Sequence, residues 1–393
     1  MKYSQWVEKY GKTRASVSSE LVQVDSVEEF KSLFTGQLDA QHRRDLMAAD
    51  ARSKKSFSHN GAENEAMDRL IQYVYGEGEL SAEDAAYAKK LFPITVMAAT
   101  GDTVTINHDV TVNPNDPPYA IKANSLVFDG GAITINGNTL HIDVGSVYIK
   151  KTGSKPYHVG IFGVTGANGN NGVNGSNYTS PAKAGSDASA PTPGICTGAS
   201  DGGNGDNGGD GRDGHSGAKG KDGSPSQPAV IMIDAYDPNS VAPLVLSTRS
   251  GAGGRGGDGG QGGAGQDGGH GGHGCDSGCE GSDGGDGGNG GTGGAGGKGG
   301  DGGNGVNGFP IQVQFPGVAR NNLITLSAVA PSGDGGAGGA GGKGGHGGAK
   351  GSGGKHKSDG SNGSDGRPGK HGDAGQSGGK TGAPGNYSIK YTN

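Results

Sequence analysis

Glycine recurs at every third position through most of the C-terminal half of this chain. Between Gly333 and Gly378 the period is interrupted only at Lys357, and between Gly251 and Gly308 only at Gln266 and Cys275. A period of three is neither the 3.6 of an α-helix nor the 2 of a β-strand, but it is the period of the polyproline-II helix. A line of glycine leaves one side of such a rod bare, so another backbone can approach it and hydrogen bond to it.

Three structures are compatible with such a period: a collagen triple helix, a disordered linker, and polyglycine-II rods folded against one another within one chain. Collagen needs frequent proline, and residues 251–308 contain none. A disordered linker has no reason to keep one phase over several blocks. The pattern therefore favours rods bundled within a single molecule.

The number of glycine lines predicts where each rod lies in the bundle. One regular line leaves one bare side, which suits an outer rod; triplets with two adjacent glycines leave two, which suits a rod with neighbours on several sides. The predicted outer blocks are 160–175, 202–223 and 360–378, and the predicted inner blocks are 251–274, 284–305 and 333–348.

Composition restricts the classes of protein to which the chain can belong. Only 30% of its 393 residues are hydrophobic, 5% are aromatic and 88 are glycine, so side-chain burial alone cannot build a core of matching size. The net charge of −6 is dispersed, which does not indicate nucleic-acid binding. No apolar run approaches the roughly 18 residues of a membrane span, and the start lacks the apolar region of a signal peptide. We expect an extracellular or virion-associated protein that leaves the cell by another route.

The chain divides into three predicted parts. Residues 1–92 have helical periodicity, with capping patterns at Ser26 and Ser81, and are expected to form four short helices of a small attachment or regulatory domain. Residues 93–158 alternate apolar and polar positions between short turns, which predicts a β-solenoid, with a β-sandwich as the alternative. Residues 159–393 interleave strand-like pieces with the glycine blocks. The predicted fold class is thus mainly β or irregular, a β-solenoid with a polyglycine-II bundle and a helical N-terminal domain.

Chemistry-bearing residues are few, and no set of residues indicates an enzyme or a cofactor site. Cys275 and Cys279 are spaced for a small disulfide at a chain reversal, with Cys196 as a competing partner. His270 and His273 precede them, but residues three apart in a three-residue helix lie about 9 Å apart, too far for one zinc ion. We therefore predict no metal site and no catalytic residues.

Candidate binding residues lie where the glycine pattern is interrupted, because loops held by a rigid scaffold commonly carry recognition. These interruptions are expected to be the tips of the rods. The candidates are Tyr178, Thr179, Lys183, Asp276, Glu280, Lys355, His356 and Lys357.

Three glycine-rich runs carry a resemblance to known families: GGDGGQGGAG (256–265), GGNGGTGGAGGKGGDGGNG (287–305) and GGAGGAGGKGGHGG (335–348). They resemble the glycine-rich lobe of the tip adhesins of T-even-like phage long tail fibres. They are also similar to the repeats of mycobacterial PE-PGRS proteins and, more distantly, to snow-flea antifreeze proteins. The first resemblance implies a polyglycine-II sandwich whose exposed loops bind a bacterial receptor.

The favoured function is a non-enzymatic, adhesin-type binding protein that presents loops to a cell-surface receptor, either a glycan or a protein. It would join a larger assembly through its N-terminal domain, with no nucleic-acid or transmembrane partner. The alternatives are a secreted or injected toxin, such as an insecticidal protein, and a structural surface or matrix protein. Ice binding is disfavoured because the outward positions mix Asp, Lys, Arg and His.

Overall fold

The computed structural model describes residues 20–35, 40, 44, 62–76, 78–189, 199–276 and 281–393. Its regular elements are strands, three α-helices and a short 3₁₀ helix at Gly317–Asn322. The helices are α1 (Val27–Thr35), α2 (Ala62–Tyr75) and α3 (Ala82–Leu91). The strands are β1 (Glu20–Val24), β2 (Ile94–Ile106), β3 (Val110–Val112), β4 (Tyr119–Asp129), β5 (Ile133–Asn136), β6 (Leu140–Lys151), β7 (Val159–Phe162), β8 (Ala229–Tyr236), β9 (Leu244–Arg249), β10 (Ile311–Pro316), β11 (Leu323–Ala328) and β12 (Tyr387–Thr392).

The strands form two sheets. The larger has seven strands in the order β1-β2-β4-β6-β8-β10-β12, and the smaller has five in the order β11-β9-β7-β5-β3. All neighbouring strands are parallel except β1, which pairs antiparallel with β2. The predicted β-solenoid is therefore wrong: the chain has an α/β-like arrangement of two mostly parallel sheets with few helices. Alternation of apolar residues shows which side chains are buried but not which strands pair, and β1 was missed altogether.

The hydrophobic core lies between the two sheets. One cluster of buried side chains joins Ile121, Phe128 and Ile142 of the larger sheet to Ile135 and Ile161 of the smaller sheet. Strand pairs also link β2 to β1 and β6 to β8, so the sheets cross both predicted domain boundaries, at 92/93 and 158/159. Those boundaries stay predictions.

The three helices pack on the outer face of the larger sheet. The α1 helix begins after Ser26, whose hydroxyl accepts the Glu29 N–H at 3.2 Å, and α3 begins after Ser81, whose hydroxyl accepts the Asp84 N–H at 3.0 Å. Both starts are those that the capping patterns predicted. Of the four helices expected in residues 1–92, the described residues hold three, and the remainder of that segment lies outside them.

His141 is buried on this face of β6, beneath the helices. Its ring packs edge-on against Phe34 with centroids 5.8 Å apart, it is 2% exposed, and neither ring nitrogen has a hydrogen-bond partner. Burial lowers the pKa of His141 to about 4, and Lys122 lowers it further; Asp143 raises it in part, as does the nearby Phe34 backbone, which does not reach hydrogen-bond geometry. Asp143 and Lys122 also form an ion pair with each other.

We expect this histidine to make the fold acid-sensitive. Unfolded histidine has a pKa of about 6.5, so the unfolded chain takes up a proton before the folded protein does. The contribution of neutral His141 to the free energy of unfolding is therefore complete above about pH 6.5, and it is lost as the pH falls towards 4. Between about pH 7.5 and pH 5 the free energy of unfolding should fall by about 2 kcal/mol through His141 alone.

Urea unfolding at both pH values tests this expectation. His141→Phe keeps a flat ring in the site and should lose about 2 kcal/mol less on acidification than the wild type. His371→Gln, at an exposed histidine of the glycine region, is the control and should match the wild type. An unchanged pH dependence in His141→Phe would contradict the assignment.

Six glycine-rich segments leave the sheets and return to them. They are rod 1 (163–189), rod 2 (199–226), rod 3 (250–276), rod 4 (281–310), rod 5 (330–354) and rod 6 (358–385). Rods 1, 3 and 5 follow β7, β9 and β11, whereas rods 2, 4 and 6 lead into β8, β10 and β12. Each sheet therefore continues into three rods, and the two layers of rods run in opposite directions.

Backbone hydrogen bonds join the rods at every third residue. Within a layer, Gly166, Gly169 and Gly172 of rod 1 donate to carbonyls of rod 3 at 2.7–2.8 Å. Between layers, Gly294 of rod 4 donates to Gly263 of rod 3 at 2.8 Å. Rods 3 and 4 each bond to four other rods, whereas rods 1 and 6 bond to two. The rods with most neighbours are thus among those with two glycine lines.

Each layer of the molecule consists of one sheet and the three rods that continue it. The space between the two layers narrows from the sheets towards the rods. Large side chains such as Phe128 and Phe315 fill it between the sheets, and the small residues Ser226, Thr248 and Ser250 fill it at the junction. Between the two layers of rods there is no room for any side chain, since a Cβ on Gly256 of rod 3 would lie 1.9 Å from the Gly300 carbonyl oxygen of rod 4. Glycine is therefore required wherever two layers meet directly.

Asparagine and aspartate side chains add a second set of bonds on the outer faces. Asn168 accepts the Arg255 N–H at 2.9 Å, and Asn204 accepts the Asp286 N–H at 2.8 Å. Asp286 in turn accepts the Ser361 N–H at 2.6 Å. These acceptors bond N–H groups of the neighbouring rod on the exposed face, which explains why one position of many triplets is Asn or Asp.

Candidate functional site

The described part of the distal end, where the rods reverse far from the sheets, is a tight turn between rods 5 and 6. The Lys357 N–H donates to the Gly354 carbonyl at 3.0 Å, which closes a β-turn with Lys355 and His356 at its centre. His356 has a φ of 65°, the only positive φ of a non-glycine residue in the described chain. Such a conformation persists only where surrounding contacts hold it.

Contacts from rods 3 and 4 hold this turn. Asp276, at the end of rod 3, accepts the Lys355 N–H at 3.0 Å, and the Lys355 carbonyl accepts the Gly281 N–H at 3.0 Å. Beneath it, the buried Ser282 hydroxyl accepts the Cys275 N–H at 2.9 Å. Three rods therefore meet at the turn and fix its backbone.

Cys275 is disulfide-bonded. The two other cysteines, Cys196 and Cys279, lie outside the described residues, as does Glu280. The predicted bond between Cys275 and Cys279 therefore stays a prediction, although the bridge necessarily ties the end of rod 3 to one of the two remaining cysteines.

A second polar group braces the same end from rod 6. Asp359 accepts the Gly353 N–H at 2.9 Å and pairs with the Lys350 ammonium at 2.9 Å. The hydrogen bond from Lys350 lowers the pKa of Asp359, helped by the one from Gly353. Both rods that flank the turn are thus linked by charged side chains that sequence reasoning missed.

Another missed set crosses three rods near the distal end. Asp187 of rod 1 accepts the His273 N–H at 2.8 Å, and His273 Nδ1 accepts the Ser352 N–H at 3.1 Å. His270 similarly accepts the Ala349 N–H at Nδ1, at 3.0 Å. These histidines act like the Asn and Asp side chains of other triplets. The described residues contain no group of three or more His, Cys, Asp or Glu placed to hold a metal ion.

The structure places the predicted site residues in two separate groups. Asp276 and Lys355–Lys357 meet at the distal turn, whereas Tyr178, Thr179 and Lys183 lie along rod 1. Tyr178 is level with residue 264 of rod 3, so at 3.1 Å per residue it is about 35 Å from the turn. The two groups therefore do not form one site.

Tyr178 and Thr179 lie in a bulge of rod 1. Between the bonds of Gly175 to Gln261 and of Ala182 to Asp267, rod 1 has seven steps (182 − 175) and rod 3 has six (267 − 261). The extra residue leaves room for the Gln266 side chain, whose amide donates to the Ser180 carbonyl at 3.1 Å. The bulge thus accommodates a side chain at a position where rod 3 otherwise has glycine.

Comparisons with known proteins give no family assignment. No protein-family model matches the chain, and no curated protein matches it. A solved springtail antifreeze protein from Granisotoma rainieri, described as a bundle of nine polyproline type II helices, aligns with 56% of this chain and 96% of its own, at 21% identity. The TM-score is 0.09, which carries no argument.

The resemblance to tail-fibre tip adhesins therefore stays a prediction, and nothing in the comparisons supports an adhesin, a toxin or a phage origin. None of the helices in the described residues is both long enough and apolar enough to cross a membrane.

Proposed function

We propose that this is a non-enzymatic binding protein whose glycine rods hold a receptor-binding turn at their distal end. The observation that carries the proposal is the fixed turn itself, in which Lys355, His356 and Lys357 are exposed on a backbone anchored by Asp276. A binding loop that is already ordered loses less entropy when its partner docks. Binding residues are also commonly found on loops held by a rigid scaffold.

The rods supply the rigidity and the reach. Rod 3 runs from residue 250 to residue 276, which at 3.1 Å per residue is about 80 Å. It is bonded to four other rods along this length, so the turn is presented far from the sheets on a stiff support. A receptor at a cell surface, either a glycan or a protein, is the partner that such a projection suits. The helices on the larger sheet lie at the end opposite the turn, and in this proposal they attach the protein to a larger assembly.

Binding to intact cells tests this proposal. Labelled protein is applied to a panel of bacterial and animal cells and to a glycan array. The variant Lys355→Ser/His356→Gly/Lys357→Ser keeps a turn, because glycine tolerates the positive φ at position 356. We expect it to lose at least about tenfold in affinity, as removal of a central interaction costs 1–2 kcal/mol or more.

A matched control removes the same residue types from the side of rod 6. Lys370→Ser/His371→Gly/Lys380→Ser changes three exposed residues nearer the sheets and should bind within about twofold of the wild type. Both variants should unfold at the wild-type temperature. The proposal fails if the wild type binds no cell or glycan, or if the two variants lose binding equally.

A further inference from the structure

A cavity of about 340 Å³ lies between the helices and the larger sheet, away from the rods' distal turn. The three helices and the residues that precede β4, β6 and β8 form its wall. The wall is mainly apolar. Its side chains include Val27, Phe30, Leu70, Ile71, Val74 and Phe92.

Polar links between the helices hold the cavity open. Arg69 of α2 forms an ion pair with Asp84 at the start of α3, at 2.7 Å. The Thr35 hydroxyl, at the end of α1, donates to the Val74 carbonyl of α2 at 2.5 Å. Because these bonds are directional, they fix α1 and α3 relative to α2 and keep the helices from closing the cavity.

Two hydroxyl groups on the wall have no hydrogen-bond partner. The Tyr75 and Thr139 hydroxyls are shielded from bulk solvent, and Tyr75 is 6% exposed. Burial raises the pKa of Tyr75, so its hydroxyl keeps its proton; the nearby Thr139 hydroxyl opposes the rise without reaching hydrogen-bond geometry. By contrast, the Asn138 amide is fully used by the Asn113 and Asp116 carbonyls. A buried hydroxyl without a partner costs stability that a ligand could recover.

We propose that this cavity binds a small, uncharged, mainly apolar molecule that carries one hydroxyl or carbonyl group. None of the described wall residues is Asp, Glu, Lys, Arg or His, so a charged ligand would lose its hydration without compensation. A cavity of about 150 Å³ takes one benzene ring, so this one suits about two fused rings or a comparable aliphatic skeleton. The polar group of the ligand bonds to Tyr75 or Thr139.

Titration calorimetry with 1-naphthol, naphthalene and 1-naphthoate tests the proposal on the full chain. The wild type should bind 1-naphthol with a stoichiometry of one, naphthalene about five- to tenfold more weakly, and 1-naphthoate at least about a hundredfold more weakly. Tyr75→Phe removes only the hydroxyl. It should reduce the affinity for 1-naphthol about five- to tenfold and leave that for naphthalene unchanged.

Two further variants keep the test decisive. Ile71→Trp fills the cavity from a half-buried position and should abolish binding of 1-naphthol and naphthalene with the circular dichroism spectrum preserved. Tyr236→Phe removes a hydroxyl that bonds elsewhere, to the Ala242 carbonyl at 2.7 Å, and should bind both probes as the wild type does. The proposal is overturned if the wild type binds no 1-naphthol, if folded Ile71→Trp still binds it, or if Tyr75→Phe binds it with wild-type affinity.

Discussion

Replacing Gly294 by alanine should destabilise the glycine bundle by roughly 3 kcal/mol or more. A Cβ at this position would lie 2.1 Å from the Arg212 carbonyl oxygen, so rods 2 and 4 would have to separate. That movement would also weaken the bonds from Gly294 to Gly263 and from Gly342 to Gly294, both 2.8 Å long. The free energy of unfolding in urea and the hydrogen exchange of glycine amides both measure the effect.

Gly379 offers a control in which the same glycine-to-alanine substitution meets no close contact. Around Gly379 the nearest atom to an added Cβ is the Asn304 side-chain oxygen at 4.0 Å, so Gly379→Ala should be neutral or stabilising by up to about 1 kcal/mol. Asn289→Ala, which removes an exposed acceptor of the Ser364 N–H, should cost about 0.5 kcal/mol. If Gly294→Ala were as mild as these two, direct backbone packing would not stabilise the bundle.

Interruptions of the glycine period could be found in the sequence, but their structural causes could not. Cys275 and Lys357 mark chain reversals at the distal end, whereas Gln266 marks the bulge in rod 1. All three look alike in sequence because each merely replaces a glycine. Only the neighbouring rod shows whether the replacement ends a rod or fills a gap, and neighbours are set by packing across the two layers.

The candidate site was predictable in part for the same reason. The distal turn around Lys355 follows from the break in period, but the prediction also placed Tyr178 and Thr179 at a tip when they lie along rod 1. The Asn and Asp acceptors, such as Asn168 and Asn204, could have been found from their three-residue spacing beside glycine. Glu280 and Cys279 lie outside the described residues, so their predicted roles stay predictions.

Most strand positions followed from the alternation of apolar residues, whereas β1 and the sheet architecture did not. Alternation records burial on one face, which is the same in a solenoid coil and in a strand of a two-sheet α/β-like fold. The register of β6 against β8 depends on the long rods between them returning the chain to the same level. The packing of the rods in the bundle sets this register, so the local sequences of β6 and β8 do not predict it.

The phase of the glycine triplets can be tested apart from their composition. One alanine inserted between Thr292 and Gly293 shifts the distal part of rod 4 by one position. Glycines whose added Cβ would lie 2.0 Å from a carbonyl oxygen of rod 2 are then replaced by larger residues. The replaced glycines are Gly285, Gly288 and Gly291, and their places are taken by Asp286, Asn289 and Thr292. With three overpacked contacts, the free energy of unfolding should fall by roughly 5 kcal/mol or more.

Inserting Gly-Gly-Thr at the same point is the matched control, because it lengthens the rod and keeps the phase. The distal part of rod 4 then moves by one triplet, about 9 Å, and presents glycine again at every contact. We expect a loss of only about 1–2 kcal/mol, from the distal hydrogen bonds of Gly281 and Ser282 that the shift displaces, with the added length taken up at the distal connection. Rod 1 tolerates one extra residue because it bonds to only two rods, whereas rod 4 bonds to four. Equal losses of stability in the two insertion variants would show that length, and not phase, limits the packing of the rods.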